Sequence, residues 1–376
     1  MWTPNTRENC RIVAEGKINI LGIGRKRFEE LAGLGPGRSR ALGILYRGAF
    51  KTGRFAPESA AIAKGAKQLL ADRFCLELPA VERVVEEEGE FGVTAKALVR
   101  LGDGNTVECV RIPVAHRGDE SVPSTLCISS QAGCRMGCAF CETGKHGLRR
   151  SLLASEIVGE YVLATAVLGW DIGNIVFMGM GEPLDNFEAV SGALGVFLDS
   201  AGPAFAEEDI TLCTVGLPEG IARLRSLGLK RLNLSVSLNA WNDELRSQLM
   251  PANKNVGLAA LAGALRAYPQ RRNFGLAVNY CLIPGLNDGP GAEEGIAAFL
   301  RAAAEPGRAL INLIPYNPGS APIGRAPTEA EIADFTYRLE RAGIMVKLRT
   351  PRGRGLMAAC GQLGAQSGGR GCAGGA

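Results

Sequence analysis

The chain has 376 residues, of which 46% are hydrophobic and 21% charged, a balance that excludes wholesale disorder and can fill the core of one large and one small domain. Its formal net charge of +4 suits an RNA partner but decides nothing by itself. Eleven cysteines, with no apolar leader at the amino end, argue against a secreted disulfide framework and for metal or redox chemistry, so a cytoplasmic location is expected.

Residues 1–80 predict a helical accessory domain. Helical patterns from Arg25 to Leu31 and from Arg38 to Tyr46 flank the turn Gly33-Leu34-Gly35-Pro36-Gly37. This resembles a helix-hairpin-helix, a nucleic-acid-binding device, and fits equally well an ordinary helix pair packed on a larger domain. Residues 81–122 predict a β-hairpin connector: Val93, Ala95, Ala97, Val99 and Leu101 alternate, and Gly102-Asp103-Gly104-Asn105 turns the chain into a second strand ending near Ile112. Glu108 falls on the same side of that strand as Val110 and Ile112, an odd place for a carboxylate, which makes it a candidate for chemistry.

From residue 123 to 365, short apolar runs alternate with helical patterns. The runs are Leu126 to Ser129, Ile175 to Met178, Ile210 to Cys213, Leu232 to Leu238, Phe274 to Ile283, Ala309 to Ile314 and Ile344 to Leu348. At least six βα units in series predict an α/β fold with a parallel sheet, a partial or closed (β/α) barrel whose ligands sit at the C-terminal strand ends. The most apolar stretch, Leu152 to Trp170, carries Glu156 and Glu160 one turn apart, the mark of a half-exposed helix and not of a membrane span. Residues 366–376 are mostly Gly, Ser and Ala and predict a disordered tail.

The first run leads into Gly133-Cys134-Arg135-Met136-Gly137-Cys138-Ala139-Phe140-Cys141, a Cys-x3-Cys-x2-Cys spacing in a loop. Three thiolates so placed suit three corners of an iron-sulfur cube, whereas a structural zinc site needs four ligands and would have to borrow Cys127 or His146. After the second run comes Met178-Gly179-Met180-Gly181-Glu182-Pro183, whose glycines would let backbone carbonyls approach a ligand.

The cysteine motif, with Phe140 before its last cysteine, resembles the cluster motif of the radical S-adenosylmethionine (SAM) superfamily, and the Gly181-Glu182 turn resembles that superfamily's SAM-binding turn. The segments Leu126 to Cys134, Gly179 to Leu184, Ile311 to Pro318 and Ala358 to Leu363 are similar to those of the RlmN/Cfr family of RNA adenine methyltransferases. The resemblance covers most of residues 30–365 and includes Asp243-Glu244-Leu245-Arg246 and Leu249-Met250-Pro251.

The resemblance implies one four-iron four-sulfur cluster on Cys134, Cys138 and Cys141, with an open iron for SAM, and two SAM molecules per turnover. It implies that Cys360 carries the transferred methyl group, that Cys127 releases the product by a transient disulfide with Cys360, and that Glu108 accepts a proton. Gly181, Glu182, Cys213, Ser237, Leu238, Asn239 and Asn317 are the implied SAM contacts. The implied substrate is carbon 2 of adenine in 23S rRNA or in tRNA next to the anticodon; a flavodoxin or ferredoxin would supply the electron, and the enzyme would act as a monomer. A Cfr-like attack on carbon 8, or another substrate, is the alternative.

Lys145, His146, Arg149 and Arg150 after the cluster motif, with Lys347, Arg349, Arg352 and Arg354 before Cys360, form a basic group that could hold RNA phosphates. Cys10, Cys75, Cys109, Cys281 and Cys372 match no family role and read as structural or idle thiols. Three departures stand out: Asn239 where members commonly have His, Cys213 and Val215 in place of serines, and Arg354 in a loop that usually carries acids.

Overall fold

The structure, a computed structural model, describes residues 16–114, 122–269, 276–349 and 352–364. Cys10, Cys372 and the tail expected at 366–376 lie outside the described residues. The amino-terminal helices are α1 (Arg25–Ala32), α2 (Ser39–Thr52) and α3 (Lys64–Arg73). Gly33 closes α1 in the left-handed conformation, at φ 64°, where a Cβ is disfavoured, and its N–H returns to the Glu29 carbonyl. Phe28 packs against Tyr46, Phe55 and Phe74, an aromatic knot that holds the helices to one another.

Three antiparallel strands follow, β1 (Ala80–Gly89), β2 (Gly92–Arg100) and β3 (Thr106–Ile112). The last two are the expected hairpin. β1 was not expected, because Glu82, Glu86, Glu87 and Glu88 give it the composition of a poor strand former; pairing with β2 along its whole length overrides that propensity.

β3 pairs antiparallel with β4 (Ser124–Cys127), with Val110 opposite Cys127. From there β4, β5 (Ile172–Phe177), β6 (Ile210–Thr214), β7 (Asn233–Ser237), β8 (Leu276–Leu282), β9 (Ala309–Pro315) and β10 (Met345–Leu348) run parallel. All ten strands lie in the sheet in the order of the sequence, and β10 does not meet β1, so the barrel is partial and open.

The strands of the parallel half are linked by α4 (Ala154–Val162), α5 (Phe187–Phe197), α6 (Pro218–Ser226), α7 (Asp243–Leu249), α8 (Gly257–Ala267), α9 (Ala292–Ala303) and α10 (Glu329–Arg341). One expectation for α4 needs correcting. Glu156 is half-buried and held by Arg150 at 2.7 Å, but Glu160 is wholly buried, accepting the Ser129 N–H at 3.1 Å. Among the described residues no helix is long and apolar enough to cross a membrane.

One face of the parallel sheet is apolar, with Leu126, Ile175, Leu212, Val236, Val278 and Ile311 fully enclosed, whereas the other carries Thr211, Cys213, Ser235, Asn279 and Asn312. At about 1.5–3 kcal/mol for each such side chain, this face is the main force that closes the strands into a curved wall. The C-terminal strand ends therefore converge on one side, where the polar residues collect.

Candidate active site

The cluster loop is a closed device. Gln131–Gly133 pairs antiparallel with Leu148–Ser151, and the chain between them carries the three cysteines. Gly133 sits at φ 79°, and a Cβ there would stand 2.0 Å from the Gly147 carbonyl oxygen, so only glycine permits the pairing. The Cys134 N–H donates to that same oxygen at 2.9 Å, and the Ala139 N–H donates to the carbonyl of Leu249 at the end of α7. The loop is thus fixed at both ends before any ligand binds.

Cys134, Cys138 and Cys141 line one open cavity at the strand ends, and Cys360 and Gly361 stand in the same wall. Cys127, Cys134, Cys138, Cys141 and Cys360 are free thiols. Burial pushes Cys134 up to about 12 and raises Cys138 and Cys141 as well. Left alone, these thiols stay protonated; a bound metal would supply the positive charge that lets them ionise.

Among the described residues no three His, Cys, Asp or Glu side chains are spaced to chelate one ion. Three thiols carried by one loop in the wall of one cavity are a donor set that fits three corners of an iron-sulfur cube.

The segment bearing Cys360 is clamped between the cluster loop and the β2–β3 hairpin. Glu142 N–H donates to Gly361 O at 2.8 Å, Thr143 Oγ1 to Leu363 O at 2.7 Å, and Gln362 Nε2 to Pro318 O at 3.0 Å. From the hairpin side Lys96 Nζ reaches Met357 O at 3.2 Å, and Glu108 accepts the Gly364 N–H at 2.8 Å. Glu108, buried on β3, also pairs with Lys96 at 3.1 Å; its carboxylate faces the underside of the Cys360 segment and is not among the cavity-lining groups.

Cys127 lies buried at the end of β4. Burial raises its thiol most, and Cys360 is the next largest cause, so the two sulfurs are electrostatic neighbours. Cys360 lines the cavity, walled in by protein on its other sides; that desolvation raises its thiol while the Arg349 guanidinium pulls it back down. Arg349 Nε is fixed by Asn312 Oδ1 at 3.0 Å.

Of the implied SAM contacts, Gly181, Glu182, Cys213, Ser237 and Asn239 line the cavity. Leu238 is wholly buried away from it, and Asn317 instead braces the Cys360 carbonyl at 3.5 Å while accepting from Arg354 at 2.7 Å. Glu182 holds the β6–α6 turn by accepting from Thr214 Oγ1 at 2.7 Å and from Val215 N–H at 2.8 Å.

Gly181, at φ 100°, would place a Cβ 2.5 Å from that of Gln131, so protein packing alone already demands glycine there. Asn239 takes the left-handed conformation, at φ 59°, which Asn tolerates. Its Oδ1 accepts from Cys281 N–H at 2.8 Å, and its Nδ2 donates to Met250 Sδ at 3.3 Å.

Burial lifts Glu182 to about 7, against hydrogen bonds that favour its ionised form. Because the folded value exceeds the unfolded one, this group's stabilisation is complete at pH values below about 4.5 and is lost as pH rises towards 7, by about 3 kcal/mol in all. Urea denaturation of the apoprotein between pH 5 and 8 should show this slope, and Glu182→Gln should flatten it.

Several of the basic residues have internal partners. Lys145 pairs with the buried Glu142, Arg150 with Glu156 and Asp103, Arg352 with the Pro113 carbonyl and the Phe91 ring, and Arg354 with Asn317. His146, Arg149, Lys347 and Arg349 remain exposed. Asn279, not singled out in the sequence, and Cys281, expected there to be structural or idle, line the cavity from β8. Their signal was the period of two: residues 279 and 281 share one face of an otherwise apolar strand.

Residues 128–293 match the family model for the radical SAM superfamily. A probable dual-specificity RNA methyltransferase RlmN of Akkermansia muciniphila is 38% identical over 299 residues, 79% of this chain and 81% of the relative. The chain belongs to the RlmN family. A dual-specificity RNA methyltransferase RlmN of Dinoroseobacter shibae is likewise 38% identical, over 93% of this chain and 89% of that relative. Among solved structures, a radical SAM methyltransferase from Sphaerobacter thermophilus superposes with a TM-score of 0.79 at 33% identity, covering 93% of this chain and 99% of its own. That coverage takes in the RlmN-family barrel and most of the chain around it.

Proposed function

We propose that this chain is a radical SAM methyltransferase that adds a methyl group to carbon 2 of adenine in RNA, in 23S rRNA and in tRNA next to the anticodon. Membership of the RlmN family supports the activity, and the naming of relatives as dual-specificity RNA methyltransferases supports two RNA classes. The observation that carries the reading is the presence of Cys360 in the wall of the cavity that Cys134, Cys138 and Cys141 share.

In this reading Cys134, Cys138 and Cys141 hold the cluster, and the cavity beside them, lined by Gly181, Glu182, Cys213, Ser237 and Asn239, takes SAM. The bound cluster and SAM supply a 5′-deoxyadenosyl radical, which can take hydrogen from a methyl group that polar chemistry leaves inert.

Cys360 must first lose its proton to accept that methyl group, and Arg349 lowers the cost of doing so. Cys127 is the second thiol, within electrostatic reach behind Cys360: its thiolate would attack the Cys360 sulfur of the covalent RNA adduct, closing the disulfide as the sulfur–carbon bond breaks and its electron pair leaves with the product carbon. Glu108, bonded to the Gly364 N–H beneath the Cys360 segment and outside the cavity, would receive the proton released from the adenine ring only after that segment moves. Two SAM molecules are used per turnover, a flavodoxin- or ferredoxin-class donor delivers the electron, and the enzyme acts as a cytoplasmic monomer.

Nucleoside mass spectrometry on separated 23S rRNA and tRNA, from a host lacking its own family enzyme, tests the whole reading. Expression of this chain should produce 2-methyladenosine. Appearance of 8-methyladenosine would move the chemistry to carbon 8, and the absence of both would overturn the RNA assignment.

A further inference from the structure

Arg246, on α7, is only 2% exposed. A guanidinium so enclosed ordinarily has a carboxylate beside it. Its acceptors here are four uncharged oxygens: the carbonyls of Leu238 at 3.1 Å, Ser237 at 3.0 Å and Val215 at 2.6 Å, and Asn253 Oδ1 at 2.6 Å. Asp243 is reached only through Asn253, whose Nδ2 donates to Asp243 Oδ1 at 2.9 Å. The positive charge is therefore held in place, by the ends of β6 and β7, with nothing beside it to cancel it.

Val215 and Ser237, whose carbonyls Arg246 holds, line the same cavity as Cys134, Cys138 and Cys141. Leu249 O, at the end of the same helix, holds the Ala139 N–H at 2.9 Å, and Leu249 and Met250 pack with Cys134, Met136 and Cys138 in a separate apolar cluster. As a thiolate, Cys138 is the strongest electrostatic partner of Arg246, ahead of Asp243. Burial lowers the guanidinium to about 10, which leaves it charged at neutral pH.

We propose that Arg246 is a buried counter-charge that makes the cluster held by Cys134, Cys138 and Cys141 easier to reduce, and so sets how readily the radical reaction starts. The inference rests on the cluster reading given above. One electron from an external one-electron donor adds one negative charge to the cluster, and no proton moves. In a low-dielectric surround, a cation that cannot swing away to solvent stabilises the reduced state more than the oxidised one. Arg246 touches neither substrate nor reacting atoms; it is a positioning residue that acts through charge.

Anaerobic redox titration with dithionite, followed by electron paramagnetic resonance, tests this in the cluster-loaded enzyme. The variants are Arg246→Gln, Arg246→Lys, and the paired exchange Asp243→Asn with Asn253→Asp. The exchange moves a carboxylate onto the guanidinium while retaining hydrogen-bonding groups at both positions. At the wild-type midpoint, Arg246→Gln should lower the ratio of reduced to oxidised cluster about tenfold, or about 59 mV for one electron.

Arg246→Lys should stay within about twofold of wild type, and the exchange should shift in the same direction as Arg246→Gln. A merely structural role would disturb Lys as much as Gln. If Arg246→Gln and the exchange both titrate with the wild type, the proposal is wrong while the cluster reading stands. If Arg246→Gln fails to take up iron, the exchange decides alone. Wild-type protein without about four iron and four sulfide per chain would remove both readings together.

Discussion

Cys360→Ala is expected to abolish RNA methylation, by about a thousandfold or more, while leaving the fold and the cluster in place. The loss follows from chemistry: without the sulfur, no atom of that segment can carry the methyl group into the cavity. Retention of structure follows from how the segment is anchored. Its contacts run through backbone groups of Met357, Cys360, Gly361, Leu363 and Gly364 and through the Gln362 side chain, and none uses the thiol.

Nucleoside mass spectrometry and iron analysis of the same preparation read both halves of the expectation. Cys127→Ala should fail differently, because methyl transfer to RNA begins but release does not. RNA should then remain attached to the protein through denaturing electrophoresis and be removed by ribonuclease. Wild-type methylation by Cys360→Ala would end the methylated-cysteine reading.

Gly133→Ala should destabilise the protein by about 3 kcal/mol or more and prevent iron uptake. A Cβ at this position would overlap the Gly147 carbonyl oxygen, a backbone atom that cannot step aside without opening the pairing of Gln131–Gly133 with Leu148–Ser151. The left-handed φ adds about 1–2 kcal/mol, and the Cys134 N–H bond to Gly147 is lost with the pairing.

Gly147→Ala is the control. Gly147 also has positive φ, at 67°, but nothing lies within 4 Å of its missing Cβ, so only the backbone strain of about 1–2 kcal/mol applies. Urea denaturation and iron content should separate the two variants clearly; equal behaviour would show that packing across the loop is not what demands glycine.

The parallel half of the sheet was legible from the sequence because each buried strand is a short apolar run set between helical periods, and the cluster loop because the cysteine spacing has few other uses. The first strand of the antiparallel extension was not, since Val81, Val84 and Val85 are interleaved with glutamates that only pairing with the next strand makes tolerable.

Individual roles were harder to read than the motif. Leu238 and Asn317 stand beside cavity residues in the chain, yet the strand end turns one inward and the other becomes a brace for Cys360. Glu160 and Arg246 look like surface charges on amphipathic helices, and both are buried, because burial of a charge depends on partners that converge only in three dimensions. Arg354, the departure in the Cys360 loop, has a local account: it holds Asn317, which holds the Cys360 carbonyl.

The clamp on the Cys360 segment also orders events in time. During synthesis the barrel strands can add one beside the next as they leave the ribosome, since each pairs with the strand just made. The cluster loop is complete more than two hundred residues before Cys360 appears. A nascent or truncated chain can therefore hold Cys134, Cys138 and Cys141 without Cys360. The Cys360 segment then joins the cysteine loop to the hairpin made long before, so its thiol arrives only once the walls around it stand.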